Sequence, residues 1–189
     1  MNRALFLDRD GVLDELVNYE EGWGAPRKPE DVRLLPNVRE ALALAAHNGW
    51  PVFVISNQPD ASKRYTTFGA LHAVHDEIVR QLDRAPIVEF FYCFHRAEDR
   101  CACRKPEPYF LHQAAAKYDL DLEESWLAGD SDSDVEAGRR AGCHTALLEY
   151  PHSSSKRGAH KPDLRCRDLD HFVRTLIGQR SSHGPKPQD

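Results

Sequence analysis

The chain has 189 residues, of which 41% are apolar and 29% charged, and its net charge is −5 at neutral pH. These values are typical of one globular domain with a sizeable core, and they argue against a basic nucleic-acid-binding face. No apolar run approaches the roughly 20 residues of a membrane span, and the polar start is not that of a signal peptide. We expect a cytoplasmic monomer without nucleic-acid or membrane partners.

The first predicted element is a buried strand over residues 4–7, which are all apolar. Asp8 and Asp10 follow it directly, and Gly11 lets the chain turn away. In open α/β sheets, ligands bind just past the carboxyl ends of the strands. Two adjacent carboxylates at such a place indicate a divalent cation or unequal protonation states. A solvated acidic turn is the alternative.

Residues 14–33 show no clear period and are predicted to form a long loop. Asn37 and Glu40 then have the spacing of a capping box, which predicts a helix that ends near Gly49. This helix would carry the chain back to the sheet.

A second buried strand is predicted over residues 51–55, and it ends in the polar side chains of Ser56 and Asn57. Because parallel strands end at the same edge of a sheet, Ser56 is expected to face Asp8. An amphipathic helix is predicted to follow over residues 67–84.

A cluster of potential zinc ligands follows a third predicted strand at residues 88–92. Three thiols and one imidazole are the donors of a closed tetrahedral zinc site. Coincidental or redox-active cysteines are the alternative, but a disulfide within Cys-x-Cys would be strained. With four protein ligands no position stays open, so we expect a structural zinc ion that fixes the loop over residues 93–103. The ligands would be Cys93, His95, Cys101 and Cys103.

Two cations, Arg104 and Lys105, come directly after this loop, so the zinc ion would fix where they point. The rest of the chain alternates between helical and strand patterns and ends in a polar tail that is predicted to be disordered. The predicted elements are a helix over 106–118, a strand over 125–128, a helix over 135–140, a strand over 145–148, a polar loop over 150–162, a helix over 169–177 and the tail over 181–189.

The strand predicted over residues 125–128 also ends in carboxylates, those of Asp130 and Asp134. The alternation of strands and helices predicts an α/β fold with a doubly wound parallel sheet, which gathers all these strand ends at one edge. Oxygen ligands suit Mg²⁺, whereas Lys105 and Ser56 suit the oxygens of a phosphate. The sequence therefore predicts a phosphoryl-transfer site for a small phosphorylated metabolite.

These motifs resemble the four ordered motifs of the haloacid dehalogenase (HAD) superfamily phosphatases, which have a Rossmann-like fold. The cysteine and histidine pattern is similar to that of the zinc-loop branch, which lacks a large cap domain and contains heptose-bisphosphate and histidinol-phosphate phosphatases. The resemblance covers residues 4–148 and implies a single phosphatase domain over residues 1–180. The matching segments are Asp8-Arg9-Asp10-Gly11, Ser56-Asn57-Gln58, Lys105 and Gly129 to Asp134.

The resemblance implies a role for each site residue. Asp8 would attack phosphorus and form an aspartyl-phosphate, and Asp10 would act first as general acid and then as general base. Mg²⁺ would be bound by Asp8, Asp10 through its main-chain carbonyl, and Asp130, with Asp134 in support. The phosphoryl oxygens would be held by Ser56, Asn57 and Lys105.

The substrate is less well determined by the sequence. The heptose enzymes place an Arg-Gly pair in the turn after the strand-end Gln, where this chain has Lys63 and Arg64. With Arg104, these cations favour a sugar bisphosphate, namely removal of the 7-phosphate of D-glycero-D-manno-heptose 1,7-bisphosphate in carbohydrate metabolism. Solvated surface charge is the other interpretation of Lys63 and Arg64. The alternatives for function are a histidinol-phosphate phosphatase, a DNA 3′-phosphatase and a non-catalytic phosphate-binding module.

Overall fold

The computed structural model describes residues 2–181. Strands and helices alternate along the chain after an N-terminal strand and a short hairpin. In chain order the elements are β1 (Leu5–Leu7), β2 (Val17–Tyr19), β3 (Gly22–Gly24), α1 (Val38–His47), β4 (Val52–Asn57), α2 (Phe68–Leu82), β5 (Ile87–Cys93), α3 (Tyr109–Tyr118), β6 (Trp126–Gly129), α4 (Asp132–Ala141), β7 (His144–Leu148), β8 (Leu164–Cys166) and α5 (Leu169–Ser181).

Six of the strands form one parallel sheet in the order β5-β4-β1-β6-β7-β8. The chain moves outward from β1 through β4 to β5 and then returns to the other side of β1 for β6, β7 and β8. The predicted doubly wound sheet is thus confirmed. Its topological switch point lies between β1 and β6, where ligands of such folds bind.

Helices cover both faces of this sheet. Helices α1, α2 and α5 pack on one face, and α3 and α4 pack on the other. The central strand β1 contributes to both layers because Leu5 and Leu7 point to the first face and Phe6 to the second, and all three are fully buried. This two-sided burial explains why the sequence of β1 is continuously apolar rather than alternating.

Some local predictions were wrong. The predicted loop over residues 14–33 contains the antiparallel hairpin of β2 and β3, and β8 was also missed. Each of these strands has only three residues, too few to show a period. The predicted capping box is wrong as well, because Asn37 has a left-handed φ of 61° and its side chain makes no capping bond, whereas a capping box needs an extended residue there.

Helix α5 extends to Ser181, the first residue of the predicted tail, and the remainder of that tail lies outside the described residues. That residues 1–180 form a single domain stays a prediction. Among residues 2–181, none of the helices has the length and hydropathy that crossing a membrane requires.

Helix α4 lies very close to the sheet at Gly138. A Cβ atom at this position would be 2.7 Å from Thr145 Cγ2 and 3.2 Å from Leu127 Cβ. We expect Gly138→Ala to lower the free energy of unfolding by about 1–3 kcal/mol through overpacking. Gly178 in α5 is the matched control, because a Cβ there would have no atom within 4 Å. Gly178→Ala should raise that free energy by up to about 1 kcal/mol, since Ala is the better helix former.

Urea denaturation of both variants tests this close approach. Equal or greater stability of Gly138→Ala compared with Gly178→Ala would contradict the packing of α4 described here.

Candidate active site

The strand ends that meet at the switch point form a cleft of about 310 Å³. Asp8 and Asp10 follow β1, Ser56 lies near the end of β4, Asp130 follows β6, and Lys105 lies beyond the cysteine-rich loop. The structure therefore brings together side chains that are far apart in the sequence. This is the juxtaposition that the strand-end pattern predicts.

Lys105 is a buried cation between two carboxylates. Its Nζ lies 2.9 Å from Asp8 Oδ1 and 2.6 Å from Asp134 Oδ1, and it donates to the main-chain oxygen of Ile55 at 2.7 Å. The side chain is only 2% exposed. Burial alone would lower the pKa of Lys105, but Asp134 and Asp8 outweigh it and raise this pKa above the ordinary value. Lys105 is therefore a permanent positive charge beside Asp8.

Asn57 holds the main chain of Lys105. Its Oδ1 accepts from the Lys105 main-chain N–H, and its Nδ2 donates to the Lys105 carbonyl, both at 3.1 Å. The two polar atoms of this side chain are thus used to place Lys105. Asn57 thus positions Lys105, and its predicted contact with phosphate stays a prediction.

Asp130 combines deep burial with an unused oxygen. Its Oδ2 has no hydrogen-bond partner among residues 2–181. Burial, followed by the nearby charges of Asp8 and Asp134, raises the pKa of Asp130 to about 7. One carboxylate oxygen from each of these three residues lies within 4.8 Å of the others. An orphaned buried oxygen in a group of three carboxylates fits a hard divalent cation such as Mg²⁺.

Gly11 is required by this arrangement. It has a left-handed φ of 81°, and a Cβ atom would lie 2.3 Å from Asp130 Oδ2. Only glycine lets the loop after β1 approach Asp130 so closely.

Asp10 is enclosed by donors that the sequence analysis did not assign. Arg9 Nε and Nη2 donate to Asp10 Oδ1 at 3.2 and 2.8 Å, and Nη2 also donates to Gln58 Oε1 at 2.8 Å. Gln58 Nε2 and Ser56 Oγ donate to Asp10 Oδ2. The available signal was an arginine between two carboxylates and a glutamine just after a strand end, but neither pattern is specific.

Asp14 is a further buried carboxyl group in this region. Neither of its oxygens has a hydrogen-bond partner in the described part of the chain, and the Nε of Arg9 lies 4.0 Å from its Oδ1. Burial, and then the charge of Asp10, raises the pKa of Asp14 well above its ordinary value. Burial therefore favours the neutral form of Asp14.

The four predicted zinc ligands converge. The three Sγ atoms lie 3.4–3.6 Å from one another, and His95 Nδ1 lies 3.4 Å from Cys103 Sγ and 3.6 Å from Cys93 Sγ. A tetrahedral zinc ion with Zn–S bonds of about 2.3 Å needs S···S separations of about 3.8 Å. The separations are much longer than a disulfide bond, and the cysteines within residues 2–181 are free thiols. This donor set fits a closed zinc site.

Besides Lys105, three cations line the cleft. Lys63 and Arg104, both predicted as site residues, line it together with Lys156, which the sequence analysis missed because it lies in the predicted polar loop. Arg64 does not line the cleft that the described residues form; it is an exposed turn residue with a left-handed φ of 64°. Lys63 and Arg64 are adjacent in the sequence, but because of the turn only Lys63 lines the cleft.

One side of the cleft carries an aromatic pair. Trp23, from the unpredicted hairpin, lines the cleft and stacks on His152, with ring centroids 3.7 Å apart. This contact joins the β2–β3 hairpin to the segment after β7. Together these two short segments form a wall of the cleft where no separate cap domain is present among the described residues.

Comparisons with known proteins agree with this geometry. The HAD-hydrolase-like family model matches residues 102–172. The D-glycero-β-D-manno-heptose-1,7-bisphosphate 7-phosphatase of Helicobacter pylori is 32% identical over 181 residues, which cover 91% of this chain and 96% of the relative. The protein of the same name from Pseudomonas aeruginosa is 34% identical over 157 residues, covering 79% and 83%.

A solved structure is also similar. The D,D-heptose 1,7-bisphosphate phosphatase of B. bronchiseptica, crystallised with magnesium and phosphate, superposes with a TM-score of 0.82 at 28% identity. The match covers 94% of this chain and 99% of that one.

The raised pKa of Asp130 predicts a pH dependence of stability. Asp130 titrates near 7 in the folded protein and near 3.8 when unfolded. Between these values the folded state holds a proton that the unfolded state has lost. Its contribution to stability is therefore fully present below about pH 4 and is lost as the pH rises through about 7.

We expect the Tm of the magnesium-free protein to fall between about pH 5.5 and pH 8 more steeply than that of Asp130→Asn, which lacks this titration. Differential scanning fluorimetry in magnesium-free buffers measures both slopes. Identical slopes would show that Asp130 does not titrate in this window.

Proposed function

This chain belongs to the HAD-like heptose-bisphosphate phosphatases, and we propose that it removes the 7-phosphate of D-glycero-D-manno-heptose 1,7-bisphosphate with Mg²⁺ as cofactor. As a member of this family it is a phosphoric monoester hydrolase. The observation that carries the proposal is the position of Lys105 between Asp8 and Asp134, beside the orphaned oxygen of Asp130.

Asp8 is the proposed nucleophile. Its Oδ1 accepts from the main-chain N–H of Arg9 at 2.7 Å and contacts Lys105, so the carboxylate is fixed in direction before substrate arrives. A fixed carboxylate avoids the entropic cost of orientation at the moment of attack on phosphorus. Lys105 and Ser56 would neutralise charge on the phosphoryl oxygens.

Asp10 is the proposed proton carrier. It would donate a proton to the oxygen of the leaving sugar and then take one from the water that hydrolyses the aspartyl-phosphate. Its side chain lines the cleft beside Asp8, and its Oδ2 faces Ser56. Asp10 is therefore placed to serve both proton transfers from one position in the cleft.

Mg²⁺ would be held by Asp8, the main-chain carbonyl of Asp10 and Asp130, and would add positive charge at the phosphoryl group. Asp134 supports this arrangement: Lys105 contacts its Oδ1, while Ser131 donates to its Oδ2 from Oγ at 2.6 Å and from the main-chain N–H at 3.1 Å. Both oxygens of Asp134 are thus used within the protein.

Zn²⁺ would be held by the Cys93, His95, Cys101 and Cys103 donor set and would have a structural role. Arg104 follows directly and donates from Nη1 to the carbonyl of His95 at 3.2 Å. The loop therefore sets the direction of Arg104 and the start of the segment that carries Lys105.

A sugar bisphosphate is favoured over a monophosphate because the cleft has more cations than one phosphate needs. Lys105 serves the phosphate at Asp8, whereas Lys63, Arg104 and Lys156 line the cleft with less buried side chains. These three would bind the second phosphate. A cytoplasmic location, a monomeric state and the absence of nucleic-acid and membrane partners stay predictions of the sequence.

Phosphate release in the presence of Mg²⁺ tests the proposed function. The panel contains both anomers of heptose 1,7-bisphosphate, histidinol phosphate, fructose 1,6-bisphosphate and a DNA 3′-phosphate. We expect kcat/KM for a heptose bisphosphate to exceed the others by about 100-fold, or about 2.7 kcal/mol of transition-state discrimination. Asp8→Asn should abolish turnover and leave the Tm nearly unchanged. A preference for histidinol phosphate, or substantial activity of Asp8→Asn, would refute the substrate or the nucleophile, respectively.

The cleft cations give a separate prediction. Lys63→Ala should raise KM for the bisphosphate about tenfold, or about 1.4 kcal/mol, while changing KM for heptose 7-phosphate much less, because the monophosphate lacks the second anionic group. Arg64→Ala is the matched control and should leave both values unchanged. Equal effects of Lys63→Ala on the two substrates would show that Lys63 does not bind the second phosphate.

Removal of zinc should lower activity because Arg104 and Lys105 lose their positions, not because zinc takes part in the reaction. We expect about one zinc ion per chain by metal analysis, and we expect its removal with a thiol-specific mercurial reagent to lower kcat by about 100-fold, as misplacement by about 1 Å can do. After excess thiol has removed the reagent from the cysteines, re-addition of Zn²⁺ with Mg²⁺ should restore the rate, whereas Mg²⁺ alone should not. Full activity of the zinc-free protein would contradict this role.

A further inference from the structure

Among the residues whose burial the structure describes, Arg9 is the largest fully buried side chain, with 1% exposure, although it lies between two residues of the reaction centre. Burial of a guanidinium group is costly unless its N–H groups are satisfied. The reaction described above uses only the main-chain N–H of Arg9 and leaves its side chain without a role. A buried guanidinium group with this desolvation penalty, next to the reaction centre, points to a specific function.

Two routes connect the Arg9 side chain to Asp10. Directly, Nε and Nη2 form a fork on one oxygen, Oδ1. Indirectly, Nη2 donates to Gln58 Oε1, which turns the amide so that Nε2 faces the other oxygen of Asp10 and the hydroxyl of Ser56. Arg9 therefore determines the contacts of both oxygens of Asp10.

The Arg9 side chain also packs against an aromatic ring that is itself hydrogen-bonded to a helix. Its guanidinium carbon lies 5.6 Å from the centroid of the Tyr92 ring, and the hydroxyl of Tyr92 is 2.9 Å from Nδ1 of His75 in α2. The side chain is thus braced between the sheet and a helix, away from the cleft. A group that is supported in this way keeps its direction when the cleft opens or fills.

We infer that Arg9 is a positioning residue that fixes the carboxyl group of Asp10 for proton transfer. The inference rests on the proposed phosphatase activity and deepens it. A lysine at position 9 would keep the positive charge but would lose the planar fork that fixes the plane of the carboxyl group.

The two half-reactions make this role measurable with p-nitrophenyl phosphate. In the first, an oxygen of Asp8 bonds to phosphorus, the aryl P–O bond breaks, and p-nitrophenolate leaves with the electron pair, so no proton donor is needed. In the second, water bonds to phosphorus and gives its proton to Asp10, and the bond to Asp8 breaks to return its carboxylate. Only the second half-reaction requires a correctly placed Asp10.

Arg9→Lys should therefore release about one equivalent of p-nitrophenolate in a rapid burst and then turn over about 100-fold more slowly than the wild type, the usual cost of a misplaced catalytic group. Arg3→Lys is the control, since Arg3 lies on Trp50 outside the cleft; it should keep both the burst and the steady rate of the wild type. A structural defect would instead reduce the burst amplitude and the Tm together.

Two further variants keep the test decisive. In an Asp10→Asn background, Arg9→Lys should change the steady rate less than about twofold, because coupled residues are not additive. Gln58→Leu should slow the second half-reaction as Arg9→Lys does, and it serves if Arg9→Lys does not fold. An undiminished steady rate of Arg9→Lys or Gln58→Leu would overturn the positioning role of Arg9 but not the phosphatase proposal. An additive loss of rate in the Asp10→Asn background would do the same. Absence of any turnover of both p-nitrophenyl phosphate and heptose 1,7-bisphosphate by the wild type overturns the phosphatase proposal, and this inference with it.

Discussion

The contact of Lys105 with Asp8 and Asp134 is the interaction on which the rest of the centre depends. Carboxylates can be buried together only where cations or protons offset their mutual repulsion. Here two buried cations, Lys105 and Arg9, face more acids than they can neutralise. Burial raises the pKa of Asp14, which favours its uncharged form, and a divalent cation would offset two further negative charges. The acids concerned are Asp8, Asp10, Asp14, Asp130 and Asp134.

Much of the surrounding structure serves to place Lys105. Its main chain is held by Asn57 at the end of β4, and it comes directly after the cysteine-rich loop. That loop is itself tied to β4, because the main-chain N–H of Gln58 donates to the carbonyl of Cys93 at 2.7 Å. A zinc ion in the loop would therefore stabilise the reaction centre at a distance, by limiting the conformations of the segment that carries its lysine. The zinc ion would thus contribute to activity without taking part in the reaction.

Two kinds of feature could be predicted from the sequence: elements with a clear hydrophobic pattern, and polar side chains that follow the ends of strands. Buried strands were visible as apolar runs, and polar residues at their ends predicted the site, since the doubly wound fold brings such ends together. The hairpin with Trp23 and the strand β8 were missed because three residues carry no period. The capping box failed because the backbone at Asn37 is left-handed, which spacing alone does not reveal. The contacts of Asn57 and Arg9 could not be predicted for a similar reason: they depend on hydrogen-bond geometry that exists only after folding.

In the proposed reaction Asp8, held by Lys105 and the main chain of Arg9, becomes covalently phosphorylated. The most direct measurement is a rapid acid quench of the enzyme during turnover of heptose 1,7-bisphosphate, followed by peptide mass analysis. We expect one phosphoryl group on the peptide that contains Asp8. With p-nitrophenyl phosphate, whose leaving group needs no proton, we expect a higher occupancy in Asp10→Asn, because only hydrolysis of the intermediate is slowed. Turnover with no phosphorylated peptide in either protein would show that water attacks the substrate directly, and would contradict the account.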